Sequence, residues 1–129
     1  DDQLGVPGIT AIPHLGASTA ESEDNCAIMA AHQLDDFLKT GNIKNSVNYP
    51  DISMARSEGG RLLVLHKNLP NILSAITSLI SDQGININHM ANRSKGDYAV
   101  MLVDTPDEVS DETVKAIADT ENIIRVIKI

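Results

Sequence analysis

From Arg61 to Ile129 the spacing of apolar residues changes period several times, and few folds accommodate that order of changes. Arg61–His66 is a nearly continuous apolar run of strand length. Asn71–Gln83 puts Ile72, Leu73, Ile76, Leu79 and Ile80 on one helical face, and Gly84 supplies a stop. Ile85–Asn92 alternates, with Ile85 and Ile87 facing one way and Asn86 and Asn88 the other, as in a half-buried strand. Turn residues over Arg93–Asp97, around Ser94-Lys95-Gly96, predict a hairpin into a strand Tyr98–Asp104. Pro106 breaks the chain, Ser110 can cap a short helix bearing Val114, Ile117 and Ala118, and Ile123–Ile129 reads as a final strand. The order βαββαβ predicts an α+β, ferredoxin-like unit of four antiparallel strands with both helices on one face.

The preceding residues are organised differently. Ile9–Ile12 reads as a short strand and Pro13–Ala17 as a turn. Ser18-Thr19-Ala20-Glu21 has the form of a capping box, so a helix is expected from about Thr19 to Lys39 with Gly41 as its stop. Ala27, Ala30, Ala31, Leu34, Phe37 and Leu38 form an apolar stripe along it, which must lie against another domain, another chain or further protein. Residues 43–60 lose periodicity and read as a linker, with a short extended piece near Ser46–Tyr49. The expected divisions are therefore 1–42, 43–60 and 61–129. A unit of about 70 residues has a thin core, and both faces of its last strand carry isoleucine or valine, so pairing with a second copy is the default expectation.

Several function classes are disfavoured. A net charge of -8 repels phosphate backbones, and Phe37, Tyr49 and Tyr98 are the only aromatics, so no nucleic-acid partner is expected. Nothing approaches a membrane span, and no membrane partner is expected. Cys26 is the sole cysteine, which fits a reducing, cytoplasmic compartment. His14, His32, His66 and His89 share no metal-ligand spacing, so no metal is expected, and no nucleotide-binding or acyl-transfer fingerprint is present.

Two places remain. His14, in PHLGAST, stands at a strand end beside a helix N-terminus; it is either a general acid/base or an idle turn residue. In LVLHKNLPNILSAI, His66 and Asn68 sit between a strand and a helix. Either Asn68 merely caps the helix, or His66 and Asn68 converge with Asn86 of an adjacent strand on a small zwitterion, whose carboxylate the helix N-terminus would favour.

The PHLGAST segment before a long helix, then SVNYP, resembles the carboxy-terminal end of the catalytic region in D-3-phosphoglycerate dehydrogenases, members of the NAD-dependent D-2-hydroxyacid dehydrogenases. LLVLHKNLPNILSAITSLISDQGININHM, with the hairpin and last strand, resembles the ACT regulatory domain that ends many of those enzymes. The resemblance implies a parent enzyme of serine biosynthesis that oxidises 3-phosphoglycerate with NAD, and in which His14 is the acid/base. It implies that this chain is a C-terminal fragment, inactive alone, with its long helix left from the catalytic region and with no cofactor of its own. It further implies an effector, L-serine first, held between two ACT domains by His66, Asn68 and Asn86, or else a purely structural dimerisation domain. Asn71 stands where such families usually have glycine, and a side chain there would crowd the ligand or fill its carboxylate site.

Overall fold

The computed structural model describes residues 6–129. They form two compact units, the first ending at His32 and the second running from Gln33 to Ile129. Helix α1 (Ala20–Thr40) contributes to both.

Residues 6–19 of the first unit are turns and irregular backbone. Ile9–Ile12, expected as a strand, pairs with no strand among the described residues, and without a ladder an extended segment leaves its backbone groups to water and local turns. Thr19 rather than Ser18 caps α1. Ser18 closes the preceding turn, donating to Leu15 O at 3.0 Å, and Thr19 Oγ1 then accepts from Ser22 N–H at 3.2 Å. The apolar stripe of α1 is largely uncovered: Leu34 is 62% exposed and Leu38 72%, and no α1 residue is buried. Gly41 ends the helix as expected, with φ 73 and its N–H donating to Phe37 O at 2.8 Å.

In the second unit the chain continues as β1 (Gly60–Lys67), α2 (Ile72–Asp82), β2 (His89–Lys95), β3 (Tyr98–Thr105), α3 (Asp111–Ala118) and β4 (Ile123–Lys128). The order along the sheet is β2-β3-β1-β4, all neighbours antiparallel. This is the expected ferredoxin-like arrangement. Alternation along β1 sends Leu62 and Val64 to the face where Ile72, Ile76 and Ile80 of α2 and Ile117 of α3 meet Met101 and Val103 of β3. Leu63 goes to the opposite face, with Val100 and Leu102.

Residues 43–60, expected as a linker, cover that second face. Ile52 is buried against Leu63, Val100 and Leu102, and Phe37, Ile43, Tyr49 and Met54 pack around them. A two-way bridge between Ile43 and Ile52, at 2.9 and 3.0 Å, holds the segment's shape. The extended piece Ser46–Tyr49 forms no strand. These apolar residues are too irregularly spaced to show a period, yet the sheet face they meet is itself apolar, so burial organises them. A second copy is not needed to cover this face.

Arg61 secures the segment from below. Its side chain is fully buried, and each of its five N–H groups has an acceptor. Nη1 donates to Thr40 O and Met54 O, both at 2.9 Å; Nη2 donates to Ala55 O and Asp104 Oδ2, both at 2.7 Å; Nε donates to Asp104 Oδ1. Ser57 adds a bond to Asp104 Oδ2 at 2.6 Å. Gly59 permits this approach: it takes φ 98, and a Cβ there would lie 2.3 Å from Thr105 O.

Candidate functional site

His66 comes from the helix-facing side of β1. It is opposite Ala99 of β3, a side chain small enough for the imidazole to lie across it. Nδ1 lies 2.8 Å from Lys67 O, and Nε2 reaches over β3 to Asn92 of β2, 3.0 Å from its Oδ1. Only 1% of His66 is exposed. Asn92 is a participant that sequence reasoning missed. Its one available signal was the demand that a histidine buried among aliphatic residues find a polar partner.

Asn68 is exposed and does not cap α2. Its backbone N–H donates to Asp97 O at 2.9 Å and its side-chain amide to Gly96 O at 3.1 Å, so it fastens the β1 exit to the β2–β3 turn. That turn is the two residues Gly96 and Asp97, with Gly96 at φ 58; the strand β2 extends to Lys95, three residues into the expected hairpin loop. The residue preceding α2 is Asn71, at φ 69 and without a side-chain cap bond. It adopts the left-handed backbone for which glycine is the usual choice and asparagine the next best. No side chain therefore caps the first-turn N–H groups of α2. An open groove of about 340 Å³ at the β1 exit and the β2–β3 turn is lined by Lys67, Asn68, Leu69, Asp97 and Tyr98.

Asn86 lies elsewhere. The expected strand Ile85–Asn92 begins only at His89, so Asn86 belongs to an irregular stretch after α2. The alternation was real, since Ile85 and Ile87 pack on the helix-side core, but it marks a loop folded over a helix end. Nor are the two segments adjacent, because β3 runs between β1 and β2. His66 opposes Ala99, whereas Asn88 N–H donates to Asp104 O at 2.8 Å at the far end of β3. The five steps from Ala99 to Asp104 amount to roughly 17 Å of strand. At that far end an open groove of about 400 Å³ is lined by Ser78, Ser81, Asp82 and Asn86.

One chain thus separates the three candidate residues to the two ends of α2: His66 and Asn68 by its N-terminus, Asn86 by its C-terminus. His14 belongs to the first unit, exposed and in a bend. Asp104, paired with Arg61, carries a perturbed carboxyl. Burial works to raise its carboxyl, but hydrogen bonds from Arg61 and Ser57, with the charges of Arg61 and Arg56, outweigh that and hold it below the usual carboxylate value. No cluster of three or more His, Cys, Asp or Glu able to hold a metal ion occurs among the described residues. No described helix is long and apolar enough to cross a membrane.

Residues 60–122, from β1 through α3, match the ACT domain family. Those residues are an ACT domain. Among curated proteins, the D-3-phosphoglycerate dehydrogenase of Escherichia coli strain K12 is 28% identical over 115 residues, which is 88% of this chain and 28% of that protein. The D-3-phosphoglycerate dehydrogenase of Haemophilus influenzae is 34% identical over 98 residues, 74% of this chain and 24% of that protein. The chain spans about a quarter of the length of the curated relatives it matches. Among solved structures, the ACT domain from GTP pyrophosphokinase of Chlorobium tepidum gives a TM-score of 0.48 at 12% identity, covering 54% of this chain and 95% of that one. His66, Asn68, Asn71 and Asn86 all fall inside the ACT domain.

Proposed function

We propose that this chain is the regulatory part of an NAD-dependent D-3-phosphoglycerate dehydrogenase of serine biosynthesis, and that its ACT domain binds a small amino acid, L-serine first, between two copies. The observation that carries this is the placement of complementary polar groups at opposite ends of α2. The outer edge of β2 has no partner strand among the described residues, and α2 packs on one face of the same sheet. A two-fold axis at that edge sets two α2 helices antiparallel, so the α2 N-terminus and Asn68 of one copy, with His66 behind them, approach Asn86 of the other. The first-turn N–H groups of α2 favour a carboxylate, and side-chain carbonyl oxygens accept from an ammonium. Asn71 supports rather than opposes this, since it keeps the backbone that glycine would take.

The catalytic part of the proposal gives His14 the acid/base role in the whole cytoplasmic enzyme. It assigns NAD no residue of this chain, whose contribution is regulatory, and expects no dehydrogenase activity from it alone. The test is thermal: L-serine at millimolar concentration raises the melting temperature of the chain, and Asn86→Ala abolishes the rise. No rise with any amino acid ends the effector proposal.

A second possibility is a ligand-free dimerisation domain. It is favoured by one observation, that His66 and Asn68 already have hydrogen-bond partners within the chain. It requires a dimer in sedimentation that every amino acid leaves unchanged.

A further inference from the structure

We infer that Asn92, not His66, is the strand-side contact to the effector, and that His66 acts by positioning it; this rests on the amino-acid-binding proposal above. His66 is too buried to meet a ligand directly, and both ring nitrogens are occupied. Lys67 O only accepts, so Nδ1 carries a hydrogen and donates to it. The groups at the two ring nitrogens, a backbone carbonyl and a carboxamide, are both uncharged. Burying an imidazolium between neutral acceptors is costly, which favours the neutral ring. Nε2 is then an acceptor, and the Asn92 carboxamide serves it only when turned end for end from the placement in the structure, where Oδ1 faces the ring, so that Nδ2–H points to Nε2 instead. Its Oδ1 consequently points the other way.

Asn92 is half-exposed, lies opposite Met101 on the helix-facing side of the edge strand, and among the described residues its side chain bonds to His66 alone. It therefore offers an oriented carbonyl oxygen on the floor between the two α2 helices of the proposed dimer. That oxygen is placed to accept from the ammonium of an amino acid whose carboxylate rests on the first turn of α2. The imidazole fixes which end of the amide faces out.

Calorimetric titration of the whole chain with L-serine and with 3-hydroxypropionate, which is serine without its ammonium, tests this. Asn92→Ala is expected to weaken L-serine by about tenfold or more and leave 3-hydroxypropionate nearly unchanged. Asn92→Asp, an isosteric acceptor, is expected to retain L-serine and bind the ammonium-free anion less well. Nitrogen-15 spectra of the imidazole are expected to place the hydrogen of His66 on Nδ1 in the wild-type chain. Unchanged discrimination between the two ligands in either variant overturns the inference, as does a hydrogen on Nε2 alone. If Asn92→Ala does not fold, Asn92→Asp decides by the same criterion. A wild-type chain that binds no amino acid overturns the effector proposal and this inference with it, whereas serine binding that survives Asn92→Ala overturns the inference alone.

Discussion

Asn71 shows how much one backbone dihedral carries. At φ 69 a residue with an ordinary Cβ is strained by roughly 1–2 kcal/mol, and asparagine less so. Asn71→Gly should therefore leave stability within a few tenths of a kcal/mol, while Asn71→Ala should cost about 1 kcal/mol in urea denaturation. Arg61 and Asp104 make the opposite case, a pair whose value lies in its completeness. Asp104→Ala leaves a buried guanidinium with two donors unserved and should cost about 3–5 kcal/mol. The pair also sets an acid limit. The folded carboxyl of Asp104 is held below its unfolded value, so its stabilisation is full above the unfolded value, near pH 4, and is lost as pH falls through the folded one. In Asp104→Asn the urea midpoint should fall less between neutral and acid pH than it does in the wild-type chain.

Elements are bounded here by different physical causes, and sequence spelling reports only some of them. Ser110 caps α3 as expected, accepting from Thr113 N–H, and Ser110→Ala should cost about 1 kcal/mol. Gly84 ends α2 at φ 72, also as expected. β2 began four residues later than its alternation suggested, because Ile85 and Ile87 are drawn onto the core from a loop, and the same pattern serves both uses. The pair Gly59-Gly60 ends the expected linker, and the structure uses it for close backbone contact. Gly59→Ala would set a Cβ 2.3 Å from Thr105 O in a left-handed conformation, so it should lower stability by more than about 2 kcal/mol and shorten amide-exchange protection at the end of β3.

Across the whole molecule, the half-sites proposed for the two ends of α2 make a prediction that no single-chain site shares. Asn68→Ala and Asn86→Ala chains, each unresponsive to L-serine alone, should regain about a quarter of the wild-type serine stoichiometry when mixed in equal amounts and allowed to exchange subunits, since half of the dimers are then mixed. In the mixed dimer one site unites the intact Asn68 of one chain with the intact Asn86 of the other, while the second site carries both changes. Mixing that restores nothing would place the site within one chain, or nowhere.

The sequence alone determined the number, order and type of elements in the sheet domain, because the periods of strand and helix are written locally in Leu62–Val64, Ile72–Ile80 and Val100–Val103. It also marked His66, Asn68 and Asn86 as a set. Tertiary structure alone decided that these three lie at two ends of a helix, that residues 43–60 cover a sheet face, and that Asn92 stands between His66 and the strand edge. Register, strand order and cross-sheet hydrogen bonds arise from contacts between residues distant in the chain, and no local period records them.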